Sequence, residues 1–138
     1  GGSGDPLIQL EAAIVAMRLG DYQTAKVRLS EARSLWTATA PPAVWFHYAA
    51  QVAAMTDDPD REMLLLAAAT ETHPESAVLL NNLAAAYLKR EEFENARTAA
   101  EKGVAVAPEL PQLRRNLSAA LEGISHADRS AAPTPRRS

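Results

Sequence analysis

The side chains that could do chemistry are few and far apart. Three histidines, His47, His73 and His126, could serve as bases or metal ligands, and there is no cysteine to join them. His73 stands directly before Pro74, which is the setting of a turn or helix end rather than of a general base. His126 has no carboxylate or cysteine at a metal-ligand spacing, so solvent is its expected neighbour. His47 lies inside a helical stretch, where its role depends on the face of the helix it occupies. The acidic pairs Asp57–Asp58 and Glu91–Glu92 fall at expected inter-helix turns, where capping and the helix dipole account for them. No serine has a histidine at a recognisable motif spacing, and no glycine-rich phosphate loop is present. Nothing here supports catalysis, and neither a cofactor nor a metal is expected.

The elements that must carry these residues show clearly between Ser76 and Pro108. Leu79, Leu80, Leu83, Ala84, Tyr87 and Leu88 recur at steps of three and four, which puts them on one helical face. After the charged turn Glu91–Glu92–Phe93, residues Ala96, Ala99, Ala100, Gly103 and Val104 do the same on a second helix. Small residues on facing helices allow close approach, toward the short end of the usual interaxial range of about 8–10 Å. A hairpin of this kind cannot bury its face alone and needs neighbours.

This stretch resembles a tetratricopeptide repeat, whose pattern is W-x2-L-G-x2-Y, A-x3-F and a closing proline. Tyr87, Ala96 and Pro108 match it outright, and Leu80, Leu83 and Ala84 match in size class. Ala100 stands where a large aromatic is usual, so the second helix packs a thinner side chain. Pro74 and Pro108 stand 34 residues apart, the unit length of that family. A unit over residues 41–74 then puts Phe46 opposite Leu80, Ala50 opposite Ala84 and Leu66 opposite Ala100, with Asp57–Asp58–Pro59 opening its second helix. Ala53 and Glu62 depart from the pattern there and leave room for a one-residue shift.

The first unit, about residues 5–40, opens on Asp5–Pro6, with a helix expected over 7–19 and a turn at Gly20–Asp21–Tyr22. Its second helix overruns through Leu35 and Trp36. The third unit covers about 75–108. Beyond it, Leu113, Leu117, Ala120, Leu121 and Ile124 predict a capping helix over 110–124. Residues 125–138 have the composition of a disordered tail, with Arg129, Arg136 and Arg137 solvated. Seven helices are expected. The resemblance implies an all-α fold, a right-handed α-solenoid of antiparallel hairpins with a concave inner surface.

Bulk properties narrow the function. The chain has 138 residues, 47% of them hydrophobic, and a net charge of −3, which suits one modest domain with an ordinary core. No apolar run approaches the roughly 20 residues needed to span a bilayer, so membrane insertion is not expected. The absence of a dense Lys/Arg stripe argues against a nucleic-acid partner. Cysteine usage fits a cytoplasmic or a periplasmic setting alike. Gly1–Gly2–Ser3–Gly4 reads as a linker or expression scar, so the missing signal peptide decides nothing. The alanine- and arginine-rich composition points to a bacterial source.

In the family resembled, the first helices of the units line the groove. Position by position, this implies Leu7, Leu10, Ile14 and Met17 from the first unit, and Val44, His47, Tyr48 and Gln51 from the second. The third contributes Asn81, Asn82 and Leu88, and the capping helix Gln112, Arg115 and Asn116. One use of the fold is a carboxylate clamp that grips the C-terminus of a chaperone through lysines, asparagines and an arginine. Asn82 holds the type of place of the middle clamp asparagine, but His47, Gln112 and Asn116 replace the basic residues, so a chaperone clamp is not expected. The stripe Leu7–Leu10–Ile14–Met17 has two readings: ordinary core, buried by an upstream helix or placed there by a shifted register, or an acceptor for an apolar or helical peptide. The resemblance implies an adaptor or scaffold that binds a peptide or helical segment, within a bacterial multiprotein assembly or transport machine. The alternative is a structural unit that self-associates, as a homodimer or within a longer solenoid.

Overall fold

The structure is a computed structural model that describes residues 4–131. Among the described residues every regular element is a helix: α1 (Pro6–Arg18), α2 (Tyr22–Leu35), α3 (Ala43–Met55), α4 (Pro59–Thr72), α5 (Ala77–Lys89), α6 (Phe93–Val106) and α7 (Pro111–Ala131). Compact packing divides between Leu79 and Leu80, inside α5.

Three turns of one design separate α1 from α2, α3 from α4 and α5 from α6. Each has a left-handed residue, Gly20 (φ 78°), Asp57 (φ 56°) and Glu91 (φ 59°). In each the following amide donates to the carbonyl five residues back: Asp21 to Ala16 at 2.8 Å, Asp58 to Ala53 at 2.9 Å and Glu92 to Tyr87 at 2.9 Å. These bonds satisfy carbonyls that the helix end leaves without partners. Ala53 and Tyr87 hold the same place 34 residues apart, so the second unit shows no register shift. The step from Ala16 to Ala53 is 37, and the three extra residues fall in the stretch between Leu35 and Ala43.

Caps set the helix starts. Asp5 accepts from the Leu7 amide at 2.9 Å and Asp58 from the Arg61 amide at 3.2 Å, each followed by proline at the first helical position. Asp21 accepts from the hydroxyl and, with smaller effect, the amide of Thr24, which together hold its carboxyl below the usual carboxylate value. Glu92 stands at the N-cap of α6 but makes no backbone cap bond. Its side chain is one methylene longer than aspartate, and it instead accepts from Arg90 Nε at 2.9 Å.

In residues 4–79, α1 packs on α2 and α3, and α3 packs on α2 and α4. Ala13, Ala25, Ala32, Leu66 and Ala69 are fully shut off from water. The Trp45 indole donates to the carbonyl of Leu29 at 2.9 Å, pinning α3 to α2, with the Arg33 guanidinium 5.7 Å from the ring centre. Gln9 is buried and accepts from Arg28 at 3.3 Å. It occupies the place that Phe46 holds in α3, a polar core position that the apolar periodicity did not reveal.

In residues 80–131, α6 packs on α7. The two helices fill each other's thin places: Leu113 of α7 lies where a Cβ on Gly103 of α6 would go, and the Phe93 ring of α6 lies where one on Gly123 of α7 would go. The C-terminal helix is longer than the sequence reading allowed, since α7 continues from 124 to Ala131 rather than giving way to a tail at 125. No proline or glycine interrupts residues 124–132, and Arg129 donates to the Ser125 hydroxyl one turn earlier at 3.3 Å. Small and charged residues suit an exposed helix as well as a coil. The remainder of the expected tail, 132–138 with Arg136 and Arg137, and residues 1–3 lie outside the described residues.

Candidate functional site

The expected groove residues fall on both sides of the Leu79–Leu80 division. On α1 and α3, Leu7 and Val44 are the second residues of equivalent helices, 37 positions apart, and are exposed, at 56% and 42%. Ile14, Met17, His47 and Tyr48 are half-buried, and Gln51 is exposed. Leu10 departs from the expectation: it is 5% exposed and belongs to the core. The cause is the direct packing of α1 on both α2 and α3, which closes off a leucine in the middle of the helix. The stripe is therefore divided. Leu10 follows the core reading, while Leu7, Ile14 and Met17 keep surface available to another molecule.

His47 sits beside Tyr48 with ring centres 5.2 Å apart in an edge-to-face arrangement. Burial pushes its imidazole below the ordinary histidine value, so at neutral pH the ring is uncharged, with one donor and one acceptor nitrogen. Leu7, Ile14, Met17, Val44, His47 and Tyr48 are themselves uncharged, and exposed Glu11, at the α1 place equivalent to Tyr48, sets one carboxylate between Leu7 and Ile14.

Between α5 and α7, the Asn116 amide donates to Asn81 Oδ1 at 2.7 Å. The structure brings these two expected site residues together although they stand 35 positions apart. An amide pair joined by one hydrogen bond retains an amino group on one member and acceptor capacity on the other, the complement of a peptide group. Asn82 and Leu88 are half-buried, and Gln112 and Arg115 are exposed.

The other candidate chemistry is structural. His73 Nε2 bonds the carbonyl of Pro41 at 2.8 Å, and its ring lies edge-on to Phe46 with centres 5.9 Å apart. His126 is exposed on α7. Among the described residues no group of three or more histidine or carboxylate side chains could hold a metal ion, and no helix is long and apolar enough to cross a membrane.

No family model matches the sequence, and no curated protein matches it either. Solved structures do. The TPR domain of Sgt2 from Aspergillus fumigatus is similar at a TM-score of 0.79 and 18% identity, over 96% of this chain and 87% of that one. The MamA protein is similar at 0.77 and 20%, over 92% and 68%. The first TPR of Spaghetti (RPAP3), solved with the HSP90 peptide SRMEEVD, is similar at 0.79 and 13%, over 89% and 95%. At these identities the likeness establishes the fold. It is the all-α, helix-hairpin fold of tetratricopeptide-repeat domains.

Proposed function

We propose that this protein is a non-enzymatic interaction module that takes an apolar or helical segment of a partner protein on the inner faces of α1 and α3, as an adaptor or scaffold within a bacterial multiprotein assembly. The observation that carries the reading is the set of apolar and aromatic side chains Leu7, Ile14, Met17, Val44 and Tyr48, two of which are large aliphatic groups open to water, with the exposed Glu11 carboxylate beside them. Such surface is costly to leave wet, and aliphatic and aromatic anchors are the groups from which peptide affinity is built. Met17 adds a side chain that adapts its shape to what it meets. The amides of Asn81 and Asn116 supply a separate polar recognition element on α5 and α7. The fold itself contributes only the scaffold; the ligand is chosen by these side chains.

Panning a library of random 16-residue peptides on the protein, followed by affinity measurement on a Leu7→Glu, Tyr48→Ala double variant, tests this reading. Leu10 is avoided because a carboxylate at that buried position would unfold the protein. Selected peptides should carry spaced apolar anchors and bind the folded variant at least about tenfold more weakly, the loss of about 1.4 kcal/mol. Equal binding to both proteins would remove the α1–α3 face from the account.

A further inference from the structure

Glu11 is set among aliphatic side chains. Its helical neighbours three and four positions away are Leu7, Ile8, Ile14 and Val15, and among the described residues it makes no hydrogen bond or ion pair. The other charged residue of α1 is Arg18, two turns or about 10 Å further along the axis, in the last turn, where it complements the helix dipole. The helix α3 has no aspartate, glutamate, lysine or arginine, and at the place of Glu11 it carries Tyr48.

The face that holds Glu11 is one the chain leaves open. Leu7, Glu11, Ile14 and Arg18 share one stripe of α1, and the same places on α3 are Val44, Tyr48, Gln51 and Met55. The helices α1, α2 and α4 all pack on α3, yet Val44 and Gln51 are exposed and Met55 is 59% exposed. A helix flanked by its own chain thus still presents this stripe to water, so a neighbouring hairpin does not seat there.

We propose that Glu11 selects the segment bound on α1 and α3, admitting one that sets a lysine or arginine beside its apolar anchors. The inference rests on the interaction reading above and adds the partner's charge to it. A segment that covers Leu7 and Ile14 removes water from the carboxylate between them, and a carboxylate stripped of water without a counter-charge destabilises the complex. A partner's ammonium or guanidinium group supplies that counter-charge, with its methylene stem lying along the aliphatic side chains. Tyr48, at the equivalent place on α3, adds a ring of the kind that cations favour. Wholly apolar segments and acidic ones are rejected by the same carboxylate.

The test is a double-mutant cycle on peptides panned from the random library. Peptides whose binding Tyr48→Ala weakens are seated on α1 and α3, and each of their lysines and arginines is changed to alanine in turn. Such peptides should be enriched over the library in lysine or arginine near a large apolar residue. Removing that cation should weaken binding to the parent by about tenfold and to Glu11→Gln by less than about twofold. Glu11→Gln is an exposed change of nearly the same shape and should keep the parent's Tm; Glu11→Lys should prefer the peptide with glutamate in place of the cation. Seated peptides without such a cation, or an equal loss in parent and Glu11→Gln, overturn this inference and leave the interaction reading standing. No binder, or only binders indifferent to Tyr48→Ala, overturns both. Sedimentation of the free protein should show a monomer at micromolar concentration; a dimer dispersed by Glu11→Gln would overturn the inference by making a second copy the source of the cation.

Discussion

The Nε2 atom of His73 lies 2.8 Å from the carbonyl oxygen of Pro41, 32 residues earlier in the chain. This bond joins the C-terminal cap of α4 to the segment that leads into α3, so the second hairpin is closed at the end opposite its turn. The carbonyl requires Nε2 to carry the hydrogen. His73→Ala leaves a largely buried carbonyl without its partner and removes the ring edge that packs on Phe46. Urea unfolding should show a loss of about 1–3 kcal/mol, and an unchanged midpoint would contradict the closing role.

Trp45 gives a second seam to test. Trp45→Phe keeps an aromatic ring beside Phe46 but deletes the donor to Leu29, at a cost of about 1–2 kcal/mol by chemical denaturation. The loss should exceed that of Tyr48→Phe, since Tyr48 is only half-buried.

Gly103 and Gly123 invert the ordinary rule for glycine in helices. Alanine at an open helical position stabilises by about 1 kcal/mol. At these two sites the new methyl meets Leu113 or the Phe93 ring. Gly123→Ala and Gly103→Ala should each destabilise by about 1–3 kcal/mol through overpacking, measured by thermal and urea unfolding.

His47 predicts the direction of a pH dependence. Its folded-state value lies below the ordinary 6.5 because burial disfavours the charged ring. Between that depressed value and 6.5, the unfolded chain holds a proton that the folded chain does not. Stability is therefore full above 6.5 and falls as pH drops through this window. Melting curves at about pH 7.5 and 5.5 should show a smaller fall for His47→Gln than for the parent.

The three turns were legible in the sequence because their signals are local: Gly20–Asp21 at the first, the Asp58 cap with Pro59 at the second, and the charged Glu91–Glu92 break between apolar helical faces at the third. The 34-residue step was legible for the same reason, and it placed Phe46, Ala50 and Leu66 among the buried residues. Leu10 was misplaced because helical periodicity gives a face, not the depth to which the neighbouring helices cover it. Gln9 was missed because a buried amide leaves no apolar signal, and its partner Arg28 lies 19 residues away. The extension of α7 was missed because composition distinguishes an exposed helix from a coil only weakly. The pairing of Asn81 with Asn116 depends on how α5 and α7 approach, and spacing alone does not report that.

Site-specific photo-crosslinking locates a partner held on α1 and α3. A photoreactive residue is placed at Val44, or in a parallel protein at Leu64, which is 73% exposed on α4, and each is irradiated with a panned peptide at a concentration near its Kd. A peptide seated on α1 and α3 crosslinks efficiently at position 44, loses that crosslink in Tyr48→Ala, and gives only background crosslinking at position 64. Equal crosslinking at the two positions, or crosslinking at 44 that Tyr48→Ala leaves intact, would contradict it.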